Sequence, residues 1–171
     1  MKRLTILRHA SASQGGSSLD DFDRPLNDRG IESARLLGKE LKRRGVSFDH
    51  VIASPALRVR ETLDQLARGY GDLPAVTFER EIYLAATASL LAMVRALPAR
   101  AHNPMIVGHN PALANLIMSL AGEDRNGFRA DVALGYPAGA LATMEFRVAD
   151  WAQLSPGAGT IVELILPRDL A

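Results

Sequence analysis

An α/β fold is predicted, with three layers in the order α/β/α and a mostly parallel central sheet. Three observations predict it. Short apolar runs alternate with stretches of helical periodicity along most of the chain, the pattern of parallel strands joined by crossover helices. The last two strand-like runs follow one another with no helical pattern between them, so an antiparallel pair is expected to complete the sheet. Two of the apolar runs end in a histidine, and open α/β sheets bind ligands beyond the carboxyl ends of their strands.

The 171 residues are one domain's worth, expected as a single unit over residues 1–171. Lysine and arginine number 20 against 19 acids, a formal charge of +1 with no long run of one sign, which argues against nucleic-acid binding or a membrane surface. The absence of cysteine removes disulfides, thiolate catalysis and most structural zinc sites. No apolar segment approaches the roughly 20 residues of a membrane span, and the N-terminus enters a strand rather than a signal-like segment. A soluble, cytoplasmic protein is the expectation.

Residues 4–7 read as a buried strand that delivers Arg8 and His9 to its end. Taken alone, this dipeptide could equally cap the strand. Residues 11–18 are a Ser- and Gly-rich loop. Asp20, Asp21 and Asp23 lack the spacing and turn glycine of a metal loop and read as solvated acids. Arg24 ends the loop that His9 begins and could fold back toward it. Asn27 then caps a helix whose apolar face is Ile31, Ala34, Leu37 and Leu41, with a basic last turn at Arg43 and Arg44 and a stop at Gly45.

Residues 48–53 form a second strand, and Ser54-Pro55 is expected to open a helix as cap and first position. Arg58 lies in its first turn, over the same sheet edge as Arg8 and His9, with Leu63, Leu66 and Ala67 facing the core. A loop is expected over 68–74 and a short strand over 76–78. Glu81 follows, by itself more often an ion-pair partner for Arg80 or a helix N-terminus than an acid, and kept as a candidate general acid. Leu90, Leu91, Val94 and Leu97 mark the next helix.

Residues 104–111 repeat the N-terminal arrangement: an apolar strand, Gly108, His109, Asn110 and then a helix with Leu113, Leu116, Ile117 and Leu120 on one face. The free amides of that helix suit an anion, although His109 could instead be structural. A loop is expected over 122–137, with turn chemistry at 123–127. Strands follow over 140–148 and 160–166, and Trp151 is a packing residue.

Two arginines and two histidines meeting at one sheet edge with no metal motif describe a site for a dianion, most naturally a phosphoryl group, with neither metal nor cofactor required. Guanidinium forks match phosphate oxygens. A neutral imidazole can attack phosphorus in line while fixed cations stabilise the transition state. Transfer to His9 and then to water is the reaction expected.

Four ordered motifs carry a resemblance: Leu7-Arg8-His9-Ala10, Arg24-Pro25-Leu26-Asn27-Asp28-Arg29-Gly30, the segment from Ala53 to Thr62, and Val107-Gly108-His109-Asn110-Pro111. Together they resemble the histidine phosphatase superfamily, which includes phosphoglycerate mutases and acid phosphatases, and within it the short SixA-type phosphohistidine phosphatases. The resemblance implies a phosphoglycerate mutase-like fold and a phosphorylated nucleophile at His9. It also implies a clamp of Arg8 and Arg58, and His109 as a donor to the phosphoryl oxygens. Arg24 would line the entrance, with Ser11 and Asn110 as further substrate-binding residues. Ala10 stands where the family has glycine, and Ala12 and Gly15 replace the residues usual in mutases, which turns the expectation away from a mutase. Glu81 is the one counterpart for the acid that protonates a leaving oxygen. A phosphoramidate needs that acid less, and the short chain has no insertion for a deep lid. The expected partner is therefore a protein carrying phosphohistidine. The alternatives are a small phosphorylated substrate, as for a phosphomonoesterase, and a non-catalytic phosphate-binding module.

Overall fold

The computed structural model of the chain describes residues 1–16, 19–122, 124 and 126–170. Ser17 and Ser18 of the expected loop, and Glu123 and Arg125 of the expected turn, lie outside the described residues. Six strands form one sheet: β1 (Lys2–Arg8), β2 (His50–Ala53), β3 (Val76–Phe78), β4 (Pro104–Gly108), β5 (Leu141–Phe146) and β6 (Gly159–Ile165). Their order is β3-β2-β4-β1-β5-β6. The first four pair in parallel, whereas β5 runs antiparallel to both β1 and β6, the pair expected at the C-terminal end.

Alternation along the strands divides the core between the two faces. Leu7, Met105 and Val107 point to one side, where Leu37 and Leu41 of α1 (Asp28–Arg43) and Val59, Leu63 and Leu66 of α2 (Leu57–Tyr70) cover them. Leu4, Ile6 and Ile106 point to the other, against α3 (Thr87–Arg95), α4 (Ala112–Leu120) and α5 (Phe128–Leu134). The architecture is the predicted three-layer α/β/α. Among the described residues no helix is long and apolar enough to cross a membrane.

Asn27 is the N-cap of α1, its side chain accepting from the Gly30 amide at 2.9 Å. Gly38 allows α1 to lie directly on α2, because a Cβ there would come within 2.1 Å of the Leu66 carbonyl oxygen. Trp151 is fully buried and donates its indole N–H to the Ala101 carbonyl at 2.7 Å.

Four local expectations are corrected. β2 begins at His50 rather than at residue 48. The first helical residue of α2 is Leu57, not Pro55, because the Ser54 amide, just past β2, still donates to the Val107 carbonyl of the neighbouring strand while its hydroxyl takes the Ala56 amide. The same helix runs on through residues 68–70 before Gly71, at φ 110°, ends it. The stretch read as a loop over 122–137 contains α5, held to the core by Val132 and partly by Phe128.

The topology fixes where a ligand can sit. β1 and β4 are neighbours, yet the helix after β1 packs on one face of the sheet and the helix after β4 on the other. Crossovers leaving in opposite directions open a crevice at the strand ends, the topological switch point of an open α/β sheet.

Candidate active site

Register brings the two histidines to that crevice. Arg8 pairs with Gly108, and the His9 amide donates to the Gly108 carbonyl at 3.1 Å, so His9 and His109 leave adjacent strands side by side. Their rings lie 5.3 Å apart between centroids. β2 flanks β4 on its other side and supplies Ser54, and α2 supplies Arg58 from its first turn. His9, Arg58 and His109 are 7%, 5% and 9% exposed, so the charges here are largely out of water.

The hydrogen-bond partners fix both tautomers. His9 Nδ1 lies 2.7 Å from the Ala10 carbonyl oxygen. A carbonyl only accepts, so Nδ1 carries the proton and Nε2 keeps its lone pair. Burial pushes the His9 imidazole down to about 4, and the charges of Arg58, Arg8 and Arg24 act in the same sense against the opposing pull of the Ala10 carbonyl. The ring is neutral at pH 7, a nucleophile's state. His109 Nδ1 accepts from Arg58 Nη2 at 3.3 Å, so its proton is on Nε2, which donates to Ser54 Oγ at 2.8 Å. Burial, then the neighbouring His9 and Arg58, push His109 down to about 3.

Arg58 donates through Nη1 to the Asp21 carbonyl at 2.7 Å and through Nη2 to Asp21 Oδ2 at 3.1 Å. Arg8 donates through Nη1 to the Tyr136 carbonyl at 3.0 Å, and burial together with the charge of Arg58 lowers its pKa. The Nε atoms of both arginines are shielded from water and have no partner. Buried donors left unpaired are costly, and the oxygens of a bound dianion are chemistry that would suit two guanidinium ions whose charges act on one another.

The turn that follows His9 is anchored from two sides. Thr62 Oγ1 accepts from the Ala10 amide at 3.0 Å while donating to the Arg58 carbonyl at 2.6 Å, so one side chain ties the His9 loop to α2. Gly30 lies beneath the loop, where a Cβ would fall 2.0 Å from the Ser11 carbonyl oxygen. Among the described residues no residue other than glycine has a positive φ, so alanine at position 10 adopts this turn without strain.

The remaining candidates separate. Arg24 donates from Nε to Asp21 Oδ1 and from Nη1 to the Ser13 carbonyl, both at 2.8 Å, and its charge reaches His9. Asn110 spends Nδ2 on the Tyr136 carbonyl at 2.7 Å and Oδ1 on the Ala114 amide at 3.3 Å, so it positions the carbonyl that holds Arg8. The same bond, with the Leu113 amide donating to the His109 carbonyl, occupies amides of α4 that were expected to be free for an anion. Ser11 Oγ accepts from Asn27 Nδ2 at 2.9 Å and lines a neighbouring depression of about 700 Å3 with Ser33, Pro137 and Arg168. Glu81 is exposed in the turn Arg80–Ile82 and lines a separate hollow with Leu84 and Ser89, bonded to neither histidine nor arginine of the site.

Asp21 was read as a solvated loop acid; its side chain is half exposed, but it is also bonded into the site. Its carboxylate takes Arg58, Arg24 and, at 2.6 Å, the Tyr83 hydroxyl, and the Tyr83 ring stands edge-on to His109 with centroids 5.5 Å apart. The i, i+3 spacing of Asp21 and Arg24 was the available signal. Thr62, one helical turn after Arg58, and Ser54, at the end of β2, were legible by position but not by role.

Residues 4–82 match the family model of the histidine phosphatase superfamily (branch 1). An uncharacterized protein of Mycobacterium tuberculosis is 32% identical over 166 residues, 95% of this chain and 100% of that one. The phosphohistidine phosphatase SixA of Escherichia coli is 36% identical over 61 residues, 36% of this chain and 37% of that one. A SixA crystal structure from Agrobacterium tumefaciens superposes with a TM-score of 0.82 at 25% identity, covering 97% of this chain and 98% of the other. The chain belongs to the histidine phosphatase superfamily and is of the SixA type.

Proposed function

We propose that this chain is a phosphatase that passes the phosphoryl group of its substrate to His9 Nε2 and then to water, and that its substrate is phosphohistidine on a protein. The observation that carries the reading is the tautomer of His9: a buried, neutral imidazole whose Nδ1 proton is spent on the Ala10 carbonyl, which leaves the lone pair on Nε2, in a ring that feels the charges of Arg58 and Arg8. Family membership supports phosphatase chemistry, and likeness to SixA proteins over nearly the whole chain supports the phosphohistidine substrate.

In this reading Arg8 and Arg58 bind the phosphoryl oxygens, Nε2 attacks phosphorus opposite the leaving group, and the fixed charges stabilise the transition state without having to reorganise. The ring arrives unprotonated, so no base has to activate it. Asn110 holds the Tyr136 carbonyl on which Arg8 rests, and Thr62 holds the His9 turn.

The test is a brief incubation with a protein carrying labelled phosphohistidine, followed by a search for acid-labile label on the enzyme. Label is expected on the wild type and not on His9→Ala; label that persists on the variant rules His9 out as the nucleophile. Faster turnover of a sugar or aryl phosphate than of the phosphohistidine protein would instead identify a small-molecule phosphomonoesterase.

A further inference from the structure

Asp21 is a carboxylate that touches Arg58 directly and is itself half exposed. The groups expected to hold the phosphoryl group, His9, Arg58 and His109, are buried, whereas the Asp21 side chain is 54% exposed. A leaving group attached to a protein has to point from these buried groups toward solvent, and Asp21 is a solvent-reaching side chain bonded to Arg58. Oδ2 accepts from Arg58 Nη2 and the Tyr83 hydroxyl, and Oδ1 accepts from Arg24 Nε. A carboxylate offers about four acceptor directions, so these three leave one on Oδ1, in a side chain that is half exposed.

This carboxylate is a poor proton donor. The Tyr83 hydroxyl, then Arg24 and Arg58, hold it ionised, well below the usual carboxylate range. A departing alkoxide asks for a proton from a neighbouring acid, and Asp21 has none to give at neutral pH. What it offers is a negative charge and a free acceptor, which suit a leaving group that is itself a cation with an N–H.

We propose that Asp21 is a specificity-determining residue, its open Oδ1 acceptor site taking the ring N–H of a phosphoimidazolium substrate and so selecting a histidine leaving group over an oxygen one. The proposal rests on the reading of the chain as a phosphohistidine phosphatase. The step balances without an acid. The substrate's P–N bond breaks with its electron pair remaining on the ring nitrogen, and a bond forms between phosphorus and His9 Nε2. The substrate ring, already protonated on its other nitrogen, leaves as neutral imidazole. The positive charge passes to the His9 ring, whose Nδ1–H stays on the Ala10 carbonyl. A carboxylate at the ring N–H favours the protonated form of the substrate, the form with the weaker P–N bond.

The experiment compares wild type and Asp21→Asn on a phosphohistidine peptide and on p-nitrophenyl phosphate, whose phenolate also departs without a proton but carries no N–H. Asparagine keeps an oxygen for Arg58 while losing the charge. The ratio of kcat/KM for the peptide to that for the aryl phosphate is expected to fall about tenfold or more, the scale of a lost charge-assisted hydrogen bond. An unchanged ratio, with both substrates losing equally, overturns the proposal and reduces Asp21 to a support for Arg58. Wild-type enzyme that hydrolyses the aryl phosphate but not the peptide defeats the phosphohistidine reading and this proposal together.

Discussion

Arg58 donates to His109 Nδ1 at 3.3 Å, and this one bond decides what the second histidine of the site can do in the free protein. A guanidinium has no acceptor, so Nδ1 must be bare, and the only proton on the ring faces Ser54 Oγ at 2.8 Å. In the free protein His109 is therefore a neutral ring whose one proton is held by Ser54. To donate to a phosphoryl oxygen it must take up a proton, and an arriving dianion supplies the charge that favours this.

The first expectation follows from that bond. In the free protein, nitrogen NMR should find His109 protonated on Nε2 alone, and the ring should stay neutral until the pH approaches about 3. Orthovanadate, a phosphoryl mimic, adds negative charge beside the ring and stabilises the imidazolium, so it should move the titration upward. A titration unmoved by saturating vanadate would place the anion away from His109.

The second concerns acid stability. His9 and His109 titrate at about 4 and about 3 in the folded chain against an ordinary histidine value of 6.5. Between 6.5 and those values the unfolded chain binds protons that the folded chain refuses. Stability is therefore fully present above about 6.5 and is lost as the pH falls toward 4 and then 3, by a few kcal/mol in order of magnitude for the pair. Urea midpoints at pH 7 and pH 5 measure the slope, and His109→Gln should have a shallower one. The same depression predicts that kcat/KM shows no acid limb from His9 until the pH nears about 4.

The third addresses Ala10. Its backbone needs no positive φ, and its fully buried methyl group packs with Leu26 and Ala34 beside Ile31. Alanine is thus a filling of the space under the His9 turn rather than a distortion of it. Ala10→Gly should retain turnover and lose about 1 kcal/mol of stability, from the vacated volume and the added freedom of the unfolded chain. Thermal denaturation and kcat/KM of the variant test the two halves separately, and a variant with raised turnover would show that the methyl group constrains the chemistry.

The sequence exposed the site as far as strand ends and helix starts could reveal it. Arg8, His9 and His109 lie where apolar runs stop, and Arg58 lies one turn into a helix, so their convergence required only a parallel sheet. α1 was legible because Asn27, a long apolar face and Gly45 agree on it. α5 was not, since a seven-residue helix with Val132 as its one buried residue has too little periodicity to stand out. The partners of Asp21 were hidden for a different reason. The fold brings this half-exposed loop acid to Arg58, 37 positions away, and no local pattern records a partner at that distance. Ser54 was misread in part: its place at the end of β2 was legible, but its bond to His109 depends on β2 and β4 pairing.

The last expectation concerns Thr62, where stability and catalysis meet in one hydroxyl. Oγ1 accepts from the Ala10 amide and donates to the Arg58 carbonyl, and the side chain is 1% exposed. Valine has nearly the same shape but cannot accept, so Thr62→Val leaves the buried Ala10 amide without a partner. That costs about 1 to 3 kcal/mol, the penalty of an orphaned buried donor. Serine keeps the hydroxyl and loses only a methyl group. Because the Ala10 amide adjoins the carbonyl that holds His9 Nδ1, loosening it should also let the His9 ring drift and, with His9 as the proposed nucleophile, lower kcat more than it raises KM. Denaturation and steady-state kinetics on Thr62→Val and Thr62→Ser together check this: serine should restore most of both losses. Equal damage from the two variants would mean that the methyl group's packing, not the hydroxyl's bond to the His9 turn, is what position 62 supplies.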